Sequence, residues 1–483
     1  MNSTFPKSLY IILASFGLSF IFNFLFFAKE IGISILIFST ILLGTAFLFG
    51  QYQHFRLRRV WWLILPILFF ALMPSIRANE FLIFLNLCAI LGLFVLLAHE
   101  MTGTPTFLMG IADYFIMIVF MPFQMLSRAL STIVSIGQIH NETKNRNAWI
   151  RIIKSALMAV PILIIFGALF SQADLAFSKF INSFVAITIS ERTIQYLILL
   201  CFAFVASLSF LSYIFFHNKT RMTPEKPDVA ERPGREIEIL VFLGLIAVLF
   251  LIFIGFQITY LFGGETNIVK AGFTYAEYAH HGFWELVSVA MLSLLVLLAS
   301  EKYTGAESGN NRFLIPALIL ISEVIIVIVS AFKRLSLYID AYSMTELRFY
   351  VAGFIILLLV LFILLAVKFI KTKEEHFFTF GTLLSFVAFL IIVNIVNPDS
   401  FIATSNLKRY YRTGKIDVLY VGNLSVDAEL KKIELYKKLE DKDKETLRRL
   451  FQKEKDRLQK SIEWQSTNIS RAQALKLLNE LEK

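Results

Sequence analysis

The sequence predicts an all-α, polytopic transmembrane helix bundle with a small soluble helical tail, and three observations carry that reading. Between positions 8 and 396, nearly uncharged stretches of about 17 to 24 residues recur at least ten times, each long enough to cross the ~30 Å hydrocarbon core of a bilayer as one helix. Hydrophobic residues make up 57% of the chain and charged residues 17%, against the ~45 to 50% apolar usage of ordinary globular domains. Beyond Asn397 the character reverses, because the last 87 residues hold nineteen Lys/Arg and fourteen Asp/Glu. Lipid offers no partners to backbone N–H and C=O groups, so long apolar runs must span it as helices.

Taken in order, the spans fall at about 8–28, 31–49, 60–76, 80–98, 152–170, 193–216, 237–260, 282–299, 313–332, 346–367 and 377–396. That gives eleven, with ten to twelve compatible with the hydropathy. Lys7 precedes an apolar stretch too long for a cleaved signal peptide, so a retained first helix is expected. The segment near 105–126 stays open between a twelfth span and an amphipathic or re-entrant helix, because Phe107 to Leu126 carries Asp113 and Pro122.

These elements group into an N-terminal helix set (1–216), a linker (217–236) holding Pro224, Pro227 and Pro233, a C-terminal helix set (237–396) and the tail (397–483). The tail reads as an extended lead-in from Asn397 to Val421 followed by two or three helices. Their apolar stripe is Leu430, Ile433, Leu435, Leu439, Leu447, Leu450, Phe451 and Leu458.

Loop charge sets the orientation. With eleven spans, one side receives about nineteen basic residues in its loops and the other about eight, the bias that positive-inside sorting requires. The N-terminus is therefore expected in the cytoplasm of an inner membrane and the tail outside it. The loops around Asp174, 262–281 and Asp340 share the tail's face.

Several classes drop out. Cys88 and Cys201 each sit within an apolar run, so neither a disulfide framework nor a zinc site of ordinary spacing is available. The net charge of +10 is spread over loops and a mixed-charge tail, which speaks against nucleic acid. There is no Gly-Lys-Ser/Thr phosphate loop, His-Glu-x-x-His, Cys-x-x-Cys or Gly-x-Ser-x-Gly, and no cofactor is implied.

Three constellations remain. In Tyr275 to Glu285, residues Glu277, His281 and Glu285 repeat every fourth position on one helical face, with His280 three after Glu277. Glu277, His280 and His281 are thus metal-ligand candidates, weighed against interfacial anchoring through Tyr275, Tyr278 and Trp284. Glu323 lies ten residues into an apolar span, where a carboxylate needs pairing, protonation or hydration. In Arg334 to Arg348, Asp340 and Glu346 suit the positive end of the next helix, while Arg348 calls for a carboxylate such as Glu277 or Glu323, or snorkels to the surface.

Four segments resemble the multi-pass bacterial membrane family catalogued as domain of unknown function 4173, related to the 4153 family. They are Gln172 to Phe177, Thr274 to Tyr278 with Gly282 to Leu286, Ala341 to Arg348 (which holds Tyr342 and Thr345), and Asn397 to Asp399 leading to Leu424 to Ala428. The resemblance covers about residues 150 to 430 and implies a bacterial inner-membrane protein without an activity to carry over. Ser343 stands where the family usually has glycine, which puts a positive-φ turn there in question. His280 and His281 stand where it tends to have arginine, so a basic side chain rather than a metal ligand suits the position.

All four segments fall at or near one face, so Asp174, Glu277, Tyr278, Tyr342, Arg348, Asp399 and Asp427 are expected to assemble there. Glu285, Glu323, Asp340 and Thr345 complete the candidates. An envelope sensing or scaffolding role is favoured, because these polar groups gather at a surface rather than along a path. Membrane lipid, other envelope proteins or a second copy are the expected partners. The alternatives are a carrier using Glu323 and Arg348, and a membrane-embedded enzyme.

Overall fold

The computed structural model describes residues 5–51, 60–102, 106, 109–138, 166, 170, 173–174, 176–180, 191–216, 235–258, 283–304, 311–372, 375–460 and 463–481. Among them the regular structure is helical throughout. The bundle comprises α1 (Phe5–Phe26), α2 (Ser34–Gln51), α3 (Trp61–Leu72), α4 (Glu80–Met101), α5 (Ile111–Gln138), α6 (Glu191–Phe216), α7 (Arg235–Gln257), α8 (Phe283–Thr304), α9 (Asn311–Tyr342), α10 (Glu346–Val367) and α11 (Glu375–Val396). The tail comprises α12 (Pro398–Thr413), α13 (Val418–Gly422), α14 (Glu429–Tyr436), α15 (Asp441–Gln459) and α16 (Ile469–Leu481).

Nine helices among the described residues are long and apolar enough to cross a membrane, and Ser34–Gly50 and Trp61–Ser75 are shorter apolar ones. This is the architecture of a multi-pass membrane protein. The segment left open in the sequence forms most of α5, a helix of 28 residues that runs through Pro122 and contains the apolar window Ile116–Ile133. The stretch expected to span at 152–170 lies outside the described residues, apart from positions 166 and 170.

Two apolar cores organise the bundle. One gathers α1 to α6 around Leu63, Phe70, Leu97 and Leu211, with Leu383, Val387 and Leu390 of α11 packed on its flank. The other gathers α7 to α10 around Leu243, Leu297, Val324 and Phe362, with Phe378 from α11. A third core belongs to the tail, where Ile402, Val421, Leu435 and Leu447 meet. Helix α11 thus touches both bundle cores and leads directly into α12.

The tail's start differs from the expected extended lead-in. Asn397 takes φ 58°, a left-handed conformation that asparagine tolerates, and its side chain accepts from Ser400 N at 3.4 Å. Pro398 at the first helical position has its φ set for a helix, so α12 begins at once and runs to Gly414, φ 69°. A second difference lies in α9. Nothing between Phe332 and Tyr342 breaks a helix, so α9 continues ten residues past its expected end and Asp340 lies inside it rather than ahead of α10. Its 32 residues extend about 48 Å, more than the hydrocarbon thickness.

The turns α1–α2, α3–α4 and α9–α10 lie on one face of the bundle, and the tail sits on them. Ile33 N donates to Thr467 O (3.1 Å) and Glu30 N to Ser466 Oγ (3.1 Å). Asn468 Nδ2 donates to the carbonyls of Pro74 (2.9 Å) and Arg77 (2.8 Å). Helix α6 begins on this same face, with Arg192 over the Phe27 ring and Tyr196 edge-on to it.

Candidate functional site

A buried polar cluster forms where the tail meets both helix groups, and the α3–α4 turn builds its first part. Asn79 caps α4, its Oδ1 accepting from Leu82 N at 2.8 Å. With that oxygen committed, its Nδ2 reaches outward to two carboxyls, Glu346 Oε1 at 2.6 Å and Asp399 Oδ2 at 2.9 Å. Glu346 stands in the first turn of α10, behind the N-cap Thr345, and Asp399 in the first turn of α12. Both positions favour anions at a helix's positive end. Asp399 is fully buried; its Oδ2 also accepts from Ser425 N at 3.1 Å, while its Oδ1 has no donor. Glu346 N donates to the Tyr420 hydroxyl at 2.8 Å.

Asp427 forms the second part. Its carboxylate accepts from Ala78 N on both oxygens (3.0 and 2.9 Å) and from Asn79 N (3.2 Å), while the nearby Ser470 hydroxyl donates to the Ile76 carbonyl at 2.7 Å. Burial pushes this carboxyl above the usual aspartate range and the neighbouring Asp399 adds to the rise, while those donors pull it back. Ser425 fixes the local turn by accepting from Asp427 N at 3.3 Å.

Asparagine and arginine tie the surrounding backbone. Asn86 and Asn394, both fully buried in apolar helices, exchange reciprocal amide bonds of 2.9 and 2.8 Å that join α4 to α11. Arg77 donates to the carbonyls of Asn394 and Ile395, closing the C-terminal end of α11. Asn406 reads both backbone groups of Met344, accepting from its N–H (3.2 Å) and donating to its carbonyl (2.9 Å).

Of the residues singled out in the sequence, Asp399 and Asp427 meet in this cluster. Tyr342, Thr345, Arg348 and Asp340 lie around the adjoining α9–α10 turn. Arg348 does not pair with Glu323. Its guanidinium donates to the carbonyls of Tyr342 (2.9 Å) and Ser343 and lies 4.1 Å from the centre of the Tyr338 ring. The reason is directional: α10 starts at the tail face, so Arg348 stays at that face, while Glu323 lies nineteen residues before Tyr342, about 28 Å down α9.

Ser343 does take the positive-φ conformation, 74°, so the turn persists without glycine, and its carbonyl is held by Arg348. Asp340 is exposed and pairs with Arg412 at 3.8 Å instead of capping α10, a role taken by Thr345. Asp174 is also exposed and accepts from Phe177 N at 2.7 Å, a local cap. Glu285 is exposed in the first turn of α8. Glu277, Tyr278, His280 and His281 lie outside the described residues, and among the described residues no three His, Cys, Asp or Glu side chains are placed to hold a metal.

Sequence reasoning missed the asparagines, although Asn86 and Asn394 stand out as amides inside apolar runs. Lys368 falls just past the span expected at 346–367. The structure buries Lys368 at the start of a widened π turn, Lys368–Thr372, with its Nζ 2.6 Å from Glu301 Oε2.

The arrangement defines a multi-pass helical membrane protein whose C-terminal helical module is fastened by buried polar contacts to turns from both helix groups. The chain belongs to the family described as Domain of unknown function (DUF4153), whose model matches residues 64–435. That region contains Asn79, Glu346, Asp399 and Asp427, and the match falls on the 4153 family rather than the related 4173 family. No curated protein and no solved structure matches the chain.

Proposed function

We propose that the protein is an envelope sensing or scaffolding protein of a bacterial inner membrane, with its N-terminus in the cytoplasm and its tail outside. The observation that carries this reading is the Asn79 amide, which joins the first helix group, the second helix group and the tail through Glu346 and Asp399. A module held on both groups at one buried junction can transmit a load or a bound partner to the helices beneath it. The excess of basic residues in loops of the opposite face supports the orientation. The separation of Glu323 from Arg348 weakens the carrier alternative.

The test is crosslinking in intact membranes followed by purification, with the native chain and Asp427→Ala compared. A discrete partner, either another envelope protein or a second copy, is expected with the native chain and reduced with the variant. A protein that is recovered alone, with a dispensable tail, counts against the proposal. A reporter fused after Lys483 that behaves as cytoplasmic overturns the orientation.

A further inference from the structure

In the second helix group, Lys368, Arg334 and Glu323 are the charged side chains buried to more than nine-tenths among the described residues, at 2%, 8% and 6% exposure. Two of the three have polar partners. Lys368 pairs with Glu301, and Arg334 Nη2 donates to Gln257 Oε1 at 3.1 Å, an oxygen that also accepts from Ser330 at 2.9 Å. Among the described residues Glu323 has none, and its Oε2 is buried without a donor.

Helices α7, α8 and α10 pack against α9. Among their described titratable groups, the Glu301–Lys368 pair and the exposed Glu238, which accepts from the Tyr303 hydroxyl at 2.9 Å, lie at the linker end. Glu285 is exposed and Arg348 is engaged at the tail end. A carboxylate left in hydrocarbon without a counter-charge is costly, and the neutral acid removes that cost. Ser330 and Arg334 follow Glu323 by seven and eleven residues, which places all three on one face of α9 leading toward the tail.

We propose that Glu323 is a proton-binding site within the second helix group, loaded and unloaded from the tail face by way of Ser330, Gln257 and Arg334. This site is independent of the scaffolding reading.

The experiment uses the full-length protein in sealed lipid vesicles, treated with dicyclohexylcarbodiimide, an apolar reagent that attacks protonated carboxyls, and read by peptide mass spectrometry. The Glu323 peptide is expected to be modified, with a rate that falls about tenfold per pH unit once the bath passes the group's own pKa. Glu323→Gln is expected to abolish the adduct and Glu323→Asp to retain it. A pH step on the tail side alone is expected to change the rate. Absence of the adduct at every pH in folded protein, or equal modification by a water-soluble carbodiimide, overturns the site. A response only to the linker side overturns the route. Tail deletion that abolishes partner capture while sparing the adduct separates this proposal from the scaffolding one.

Discussion

Asp427 receives the backbone N–H of Ala78 on both carboxylate oxygens, at 3.0 and 2.9 Å, across 349 residues of sequence. A short polar turn between two apolar helices thereby becomes the seat of the tail. Removing the acceptor strands the N–H groups of Ala78 and Asn79 inside a buried junction. Asp427→Ala is therefore expected to weaken tail docking by about 2 to 4 kcal/mol, since each buried unsatisfied group costs about 1 to 3 kcal/mol. Limited proteolysis at the Lys/Arg-rich α15 in membranes measures it, as faster cleavage with the bundle intact.

The same residue sets a pH dependence. Burial raises its folded-state value above the ordinary 3.8, so protonation favours the docked state. The stabilisation is complete below 3.8 and is lost as pH rises through the higher folded value. Glu429, also raised chiefly by burial although Lys432 opposes the shift, adds a slope of the same sign. Asp427→Asn is expected to flatten the acid limb of a tail-cleavage profile, and an unchanged slope excludes Asp427 as its source.

Asn79 tests the bridging role. Asn79→Ala loses a helix cap, about 1 kcal/mol, together with the two carboxyl contacts. Asn79→Asp keeps the cap but faces Glu346 and Asp399 with a third carboxyl, so it is expected to be the more damaging change. Adding Glu346→Gln to Asn79→Asp is expected to recover part of the loss, because it removes one charge and supplies a donor. Thermal unfolding in detergent orders the three variants.

What could be read from the sequence follows from how local each signal is. The spans were legible because an apolar run of twenty residues has one way to exist in lipid. Asp399 and Asp427 were legible as motif residues, but their partner Asn79 lies 320 and 348 residues away, and pairing at that separation leaves no local periodicity. Arg348 suggested a carboxylate by its charge alone. Its real partners are carbonyls of a turn five and six residues earlier, which a reading by charge does not see. The lead-in from Asn397 to Val421 reads as extended in the sequence, whereas Pro398 at the first helical position starts a helix there.

Ser343 holds φ at 74°, a region that costs a non-glycine residue roughly 1 to 2 kcal/mol. Glycine relieves that strain but enlarges the freedom of the unfolded chain, which offsets about 0.4 to 1 kcal/mol. Ser343→Gly is expected to stabilise modestly, by about 0.5 to 1 kcal/mol on these two terms. Ser343→Val is expected to destabilise clearly, since a β-branched residue tolerates positive φ least. Melting temperatures of the two variants against the native chain decide it, and a destabilising glycine would show that the serine contributes something other than conformation.

The α1–α2 turn supplies the last test, because there the close approach is backbone to backbone. A Cβ at Gly32 would lie 2.6 Å from Thr467 O and 2.7 Å from Ser466 C. No rotamer relieves such a contact, so the tail end must move away from the bundle. That motion breaks the Ile33 N to Thr467 O bond and loosens the Arg471–Glu30 and Lys29–Glu463 pairs. Gly32→Ala is therefore expected to cost about 1 to 3 kcal/mol, the usual range for overpacking. The loss should fall on α16 rather than on the helices beneath. Hydrogen exchange reads this directly, with faster exchange in 463–481 and unchanged protection in α1 and α2. Gly17→Ala, which meets nothing within 4 Å, is the matched control. If Gly32→Ala leaves 463–481 protected, the tail end is not seated on this turn.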